Sequence, residues 1–354
     1  MKIPWAIPNI QLIDKKSIQR VVASGWLTMG AEVKTFEQKV CAYLGCKYAI
    51  AVNNGTAALD VALKCLNISP GDEVIIPGLT YIATGNAVIY NQGTPVFVDI
   101  DETLNLNPSL VKEKISERTK AIMNIDLGGN VSNYTELLKI SKQYDIPLIV
   151  DGAQSFGSEY HGVKCCTHGV LNTTSFHAAK ILTTIEGGMV LTNDERFYRT
   201  AQIIRNQGDV SRFDHQYLGN NYRMTDVFAA IGNSQINRFP ATLKKRREKV
   251  IYYREHLQDV EYPKELNHTV NCYFFSLILT EKRDRLNQYL IQNGIETRIT
   301  YPKPINEQPI FKKYSSETLP TAKEYSQKII SLPLYHSLKR EEQDFIIKKI
   351  NSFK

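Results

Sequence analysis

No long apolar run interrupts this chain. Its hydrophobic stretches are short, as in "EVIIPGL" and "IPLIV", and stop far below the roughly 18 residues that a membrane-spanning helix needs. The N-terminal "MKIPWAIPNIQLIDKK" carries no sustained apolar segment behind its basic start, so no secretory signal is expected. Cysteine is sparse: Cys41, Cys46, Cys65, Cys165, Cys166 and Cys272 form no CxxC pair and have no partnering histidine spacing. That pattern argues against a metal site and against a disulfide framework, and a reducing cytoplasm is the expected setting. Low-complexity tracts and long linkers are also missing. What remains is a chain of 354 residues, 43% hydrophobic and 22% charged, which fits a globular protein of two domains.

The formal charge is +7, and the densest basic run is "LKKRREK" at 243–249. Its charges fall all around a segment that reads as a helix, with no nucleic-acid recognition motif nearby, so a solvated helix face is expected rather than a nucleic-acid patch. Neither a nucleic-acid nor a membrane partner is expected. A surplus of positive charge does suit an anionic small substrate such as a nucleotide diphosphate.

Short apolar strands alternate with helical periods along the chain. "KYAIAVNN", "DEVIIP", "TPVFVDI", "KAIMNI" and "IPLIVD" read as strands, and "AALDVALKCL", "NPSLVKEKI" and "NYTELLKISKQY" read as helices. This predicts an α/β fold with a largely parallel sheet between helices, and ligands in such sheets bind at the carboxyl ends of strands.

Three strand ends draw attention. In "NNGTAAL" (53–59) a strand turns through Gly55 into a helix starting near Thr56 and Ala57, which offers free N–H groups and a hydroxyl to an anion; Thr56 is equally a plain helix cap. In "LIVDGAQS" (148–155) three apolar residues lead into Asp151, a carboxylate that needs a cation or donor if buried, for which an internal arginine would serve. In "TSFHAAKILTTIEGGMV" (174–190) Lys180 sits among small and hydroxylated residues, either as a nucleophile in a desolvated pocket or as an ordinary surface charge. Together, a phosphate cradle, a buried acid and a lysine are what pyridoxal 5'-phosphate requires.

The ordered series "NNGTAAL", "PGLTYIATGNAV", "PVFVDID", "DGAQSFGSEYHG", "SFHAAKILTTIEGG" and "GNNYRMTDVFAAIGNSQI" resembles the motifs of the DegT/DnrJ/EryC1 sugar aminotransferases. The likeness runs from "GWLTMGAEVKTFE" to "ISLPLYHSL". It implies the type I aspartate aminotransferase fold, with a mostly parallel seven-stranded sheet in a large cofactor domain with an N-terminal arm (1–238) and a smaller α+β domain (239–354). By the same resemblance Lys180 is the Schiff-base lysine and proton shuttle. Asp151 pairs with the pyridine nitrogen, and Gly55, Thr56, Ala57 and Ser175 hold the phosphate. Tyr81 stacks on the ring, Gln154 lies near its 3-hydroxyl, and Asn221 reaches the phosphate of a neighbouring subunit in a homodimer with shared sites. Trp26, Thr28 and Tyr301, the last in "IETRITYPKPINEQP", are candidate substrate contacts.

The activity implied is transfer of the amino group of L-glutamate, through pyridoxamine 5'-phosphate, to a nucleotide-linked keto sugar. Lysine rather than histidine at position 180 favours transamination over dehydration. "GWLTMG" (25–30) resembles the form seen in enzymes that aminate C-4 of 4-keto-6-deoxy sugars for surface polysaccharides and glycans. C-3 amination and a non-catalytic regulator of the same fold are the alternatives. The family's usual "HLYG" appears here as "DLGG" (126–129), a departure in the wall near the sugar.

Overall fold

The computed structural model describes residues 2–315 and 317–354. Seven strands build one sheet: β1 Tyr48–Val52, β2 Glu73–Pro77, β3 Thr94–Val98, β4 Thr119–Ile125, β5 Leu148–Asp151, β6 Leu171–Ser175 and β7 Gly188–Thr192. Their spatial order is β1-β7-β6-β5-β4-β2-β3. β2 pairs in parallel with β3 and β4, as do β4 with β5 and β5 with β6, whereas β7 runs antiparallel to both β1 and β6. Because helices cover both faces, the strands are buried almost throughout and read as continuous apolar runs. β6 is the exception. Its "LNTTS" is buried yet polar, and its groups find partners locally: Asn172 Oδ1 accepts the Gly169 N–H at 2.8 Å, and the Thr174 hydroxyl donates to Gly152 O at 3.3 Å.

Helices α1 Leu12–Ser24 and α2 Ala31–Leu44 pack on α5 Asp226–Ile236, while α3 Gly55–Cys65 and α4 Ile82–Tyr90 follow β1 and β2. Asp226 is buried and faces the start of α2, where it accepts the N–H groups of Gly30 at 2.8 Å, Val33 at 3.0 Å and Glu32 at 3.3 Å. A carboxylate there satisfies donors that no helical carbonyl can reach and complements the helix dipole.

Beyond α5, the long helix α6 Phe239–His256 carries Phe239 and Leu243 into the large core and Tyr253 into a second one. The second core gathers around the antiparallel pair β8 Ser276–Leu279 and β9 Ile329–Leu332, with Ile3 of the N-terminal arm among its members. The segment "NCYFFSLIL" has strand composition throughout, yet its strand is confined to Ser276–Leu279, because the carbonyls of Asn271, Tyr273 and Phe274 are taken by Arg247 and Arg246 rather than by a neighbouring strand. One expectation changes in part here: the basic run is only partly a solvated face, because Lys244 and Lys245 are exposed whereas Arg246, Arg247 and Lys249 turn inward and donate to main-chain carbonyls, including Gly157 O, Leu334 O and Tyr335 O. Among the described residues no helix is long and apolar enough to cross a membrane, and all six cysteines are free thiols.

Candidate active site

Strand register brings the singled-out residues to one edge. Val52 and Ser175 both pair with Gly188, and Ile125 and Thr173 both pair with Asp151, so the ends of β1, β4, β5 and β6 lie side by side. β7 begins where its neighbours end, so the β6–β7 connection, which carries Lys180, closes over the same edge.

The "NNGT" turn starts α3 at Gly55, one residue earlier than expected, with Asn54 as its cap. Asn54 Oδ1 accepts the Ala57 N–H at 2.8 Å. Ala57 is thereby a less open donor than its place in the motif suggests, whereas Gly55 and Thr56 have N–H groups without an intrahelical acceptor. Thr56 is exposed. A β-carbon on Gly55 would stand 2.8 Å from Ser175 Cβ, so only glycine lets the helix start reach the end of β6. Gly188 does the same from the other side, where a β-carbon would fall 2.3 Å from Asn54 O. Gly188 therefore serves close backbone approach and does more than introduce a strand.

The Lys180 loop is held shut by its own polar groups. Phe176 N–H donates to Gly187 O at 2.8 Å, Thr184 N–H to Phe176 O at 2.9 Å, and Lys180 N–H to His177 O at 2.8 Å. The Thr183 hydroxyl donates to Phe176 O at 3.0 Å, and Thr183 N–H reaches Gln235 Oε1 at 3.0 Å, which ties the loop to α5. This explains the hydroxylated residues around the lysine. Lys180 Nζ lies 4.3 Å from the Phe274 ring centroid. Burial pushes its amine down to about 8, against the pull of the nearby Asp151 and Cys272. His177 and Glu186 form a separate, half-exposed pair at 3.7 Å.

Asp151 is buried at the end of β5, where its Oδ1 accepts the Ala153 N–H at 3.0 Å. Burial raises its pKa, with the Ala153 bond and the Lys180 charge opposing. Lys180, not an arginine, is the cation that faces it. The Thr173 hydroxyl is close and favours the charged form, but it has no aligned hydrogen-bond partner. The carboxylate thus has acceptor capacity left over, a state that invites a protonated ligand nitrogen.

Gln154 connects the edge to the C-terminal part. Its Oε1 accepts the Gly128 N–H at 2.7 Å and its Nε2 donates to the Tyr301 hydroxyl at 3.2 Å. Tyr301 packs against the large core, and burial raises its pKa. Tyr81 caps α4 and is exposed, 6.2 Å from the Tyr301 ring, so it is no core residue. The Asp126 of "DLGG" is fully buried and accepts from the hydroxyls of Ser132 at 2.8 Å, Tyr134 at 2.6 Å and Ser155 at 2.8 Å.

Trp26 and Thr28 are exposed, and no hydrogen bond or aromatic contact among the described residues joins them to Lys180 within one chain. Asn221 is exposed too; its carbonyl accepts from Asn53 Nδ2 at 3.5 Å, so its backbone runs beside the "NNGT" turn. Phe274 and Arg246, which line the cavity with Lys180, were not anticipated: "CYFFS" reads as strand and "KRRE" as solvent-facing helix. The glycine-cleared cradle at Gly55 and Ser175, the under-used Asp151 oxygen and the desolvated Lys180 amine suit one phosphorylated pyridine aldehyde, pyridoxal phosphate.

A model of the DegT/DnrJ/EryC1/StrS aminotransferase family matches residues 8–351. The GDP-perosamine synthase of Escherichia coli O157:H7 is 36% identical over 360 residues, covering 99% of this chain and 98% of that protein. The dTDP-3-amino-3,6-dideoxy-alpha-D-galactopyranose transaminase of Aneurinibacillus thermoaerophilus is 32% identical, covering 96% and 94%. Among solved structures, the PLP-form of Spr1654, a candidate sugar aminotransferase of Streptococcus pneumoniae, superposes with a TM-score of 0.95 at 27% identity, covering 99% of this chain and 98% of that one.

Proposed function

The chain belongs to the DegT/DnrJ/EryC1/StrS aminotransferase family, and from that premise we propose that it moves the amino group of L-glutamate to a nucleotide-linked 4-keto-6-deoxy sugar, giving a 4-amino sugar for surface polysaccharide or glycan synthesis. That it is a pyridoxal phosphate-dependent nucleotide-sugar aminotransferase follows from the family and its relatives. The observation that carries the assignment of roles is the Lys180 amine, depressed to about 8 and facing the buried Asp151 at the carboxyl edge of the sheet.

When bound, pyridoxal phosphate supplies an electron-accepting ring that stabilises negative charge on the substrate carbon. In this reading Asp151 keeps the ring nitrogen protonated, since its spare acceptor capacity is satisfied by an N–H. Thr56, with the Gly55 and Thr56 N–H groups and the Ser175 hydroxyl, holds the phosphate at the start of α3, where the helix dipole favours an anion. Ala57 lies on that first turn. Tyr81 would pack on the ring face, and Gln154, oriented by Gly128 N–H, would offer its amide to the ring's hydroxyl. Lys180 as a free base would take the proton from the donor's alpha carbon and, in the acceptor half, would return one to the sugar carbon. A free-base fraction near neutral pH suits it to both directions. Residues 1–238 hold the cofactor and 239–354 form the smaller domain that contributes Tyr301.

Asn221, Trp26 and Thr28 are assigned to a shared site. All three are exposed in one chain, as residues that reach into a neighbouring subunit of a homodimer would be. We propose a cytoplasmic setting for the reaction. A second reading, amination at C-3, is favoured by the Aneurinibacillus relative, whose name carries a 3-amino group. Incubation with glutamate and a panel of 4-keto and 3-keto nucleotide sugars, read by mass and NMR, decides between them. A new amine at C-4 supports the first reading, and one at C-3 replaces it.

A further inference from the structure

Arg246 raises a separate question. Its guanidinium donates to the carbonyls of Tyr273, Phe274 (2.6 Å) and Leu334 (3.1 Å), and no carboxylate of the described residues pairs with it. An arginine has five N–H groups, so two remain uncommitted. Arg246 lines the cavity that also contains Lys180, Phe274 and His336, closed on one side by the N-terminal arm at Trp5–Asn9. His336 Nδ1 is buried without a partner. The charged groups that face His336 are Lys245, Lys249 and Arg238, all basic. The acids acting on Lys249, Glu248 and Glu342, belong to α6 and the C-terminal helix rather than to the cavity lining.

A cation desolvated against carbonyl dipoles alone is an expensive arrangement, and burial indeed draws the Arg246 pKa down to about 10. A fork already fixed in place, with N–H groups to spare, is suited to receive a carboxylate in two-point geometry. Distance within the substrates selects which anion. In glutamate the α-carboxylate sits one bond from the carbon bearing the amine, whereas in a nucleotide sugar the pyranose ring separates the diphosphate from the ketone. A guanidinium that lines the same cavity as Lys180 and its loop matches the former.

We propose that Arg246, assisted by His336, binds a carboxylate of the dicarboxylic amino donor and so sets the donor's amine beside Lys180. The assignment rests on glutamate being the donor, as proposed above. It makes Arg246 a donor-binding residue with no part in the acceptor half of the reaction.

The test uses the cofactor-loaded protein and the variants Arg246→Gln, Arg246→Lys and His336→Leu, the last of which leaves the three carbonyl contacts of Arg246 intact. Each half-reaction is followed separately through the cofactor's absorbance: the donor half with glutamate, the acceptor half with aminated protein and a nucleotide keto sugar. Glutarate, a dicarboxylate without an amine, is titrated by calorimetry as a binding probe. For Arg246→Gln the donor KM is expected to rise at least about tenfold and glutarate affinity to fall by a similar factor, with the acceptor half-reaction within about twofold of wild type. Arg246→Lys should fall between, and His336→Leu should weaken glutarate binding without changing thermal stability. Unchanged glutarate affinity in both Arg246→Lys and His336→Leu overturns the assignment, as do equal losses in the two half-reactions. A wild-type protein aminated by another amine but not by glutamate refutes the donor reading and this clamp together. One that glutamate converts, with an unaltered donor KM in Arg246→Gln, refutes the clamp alone.

Discussion

The most informative single perturbation is pH, applied to the reactivity of Lys180. Burial holds this amine at about 8, while an ordinary lysine titrates near 10.5. At pH 7 such an amine is about 9% free base, against about 0.03% for the ordinary one, a ~300-fold difference in reactive population. From pH 7 to pH 10 the free-base fraction of Lys180 grows only about elevenfold and then saturates, whereas an unperturbed lysine gains several hundredfold and keeps rising. The assay mixes cofactor-free protein with limiting pyridoxal phosphate, traps the adduct with borohydride at intervals, and quantifies the modified peptide across this range. The rate at Lys180 should flatten above about pH 9, and the midpoint should move lower in Asp151→Asn, because the Asp151 charge supports the protonated amine. A rate that climbs several hundredfold through pH 10 would refute the claim that burial sets the amine's basicity.

Other consequences can be checked on single variants. Asp151→Asn should cut turnover at least about 100-fold, since the group that would keep the ring nitrogen protonated is gone. Its stability effect has the opposite sign: burial raises the folded pKa of Asp151, so the folded chain retains a proton that the unfolded chain has lost, and stability falls as pH rises through that window. Without the carboxylate, the cofactor-free variant should unfold no more easily at neutral pH than wild type and lose that part of the pH slope, as read by urea titrations at several pH values. Gly55→Ala puts a β-carbon 2.8 Å from Ser175 Cβ, costing about 1–3 kcal/mol and loosening the cradle, visible as faster cofactor loss on dialysis. Asp226→Ala strands the N–H groups of Gly30, Glu32 and Val33, and chemical unfolding should show a loss of about 1–3 kcal/mol.

Much of this site is legible in the sequence because the chemistry sits at strand ends. "LIVD" is a buried run that terminates in an acid, and "NNGT" is a strand-to-helix turn; both local patterns survive in β5 and α3. Lys180 was legible only in combination, since nothing in "HAAKI" distinguishes a desolvated amine from a surface charge until Asp151 is known to face it. What escaped depends on long-range packing. Arg246 lies on a helix whose pattern looks solvent-facing, and it is turned inward by carbonyls 27, 28 and 88 residues away. Likewise Phe274 sits in a stretch with strand composition but without a strand partner, so its place under Lys180 is a product of the fold alone.

In the proposed reaction Lys180 carries amine transfer between two substrates, and the decisive measurement supplies L-glutamate with an isotope-labelled amino nitrogen together with a nucleotide-linked 4-keto-6-deoxy sugar. The label is expected in the sugar product, with one 2-oxoglutarate formed per amine transferred and no transfer in Lys180→Ala. Label that stays in glutamate or leaves as ammonia would contradict it, as would a Lys180→Ala protein that transfers the label at the wild-type rate.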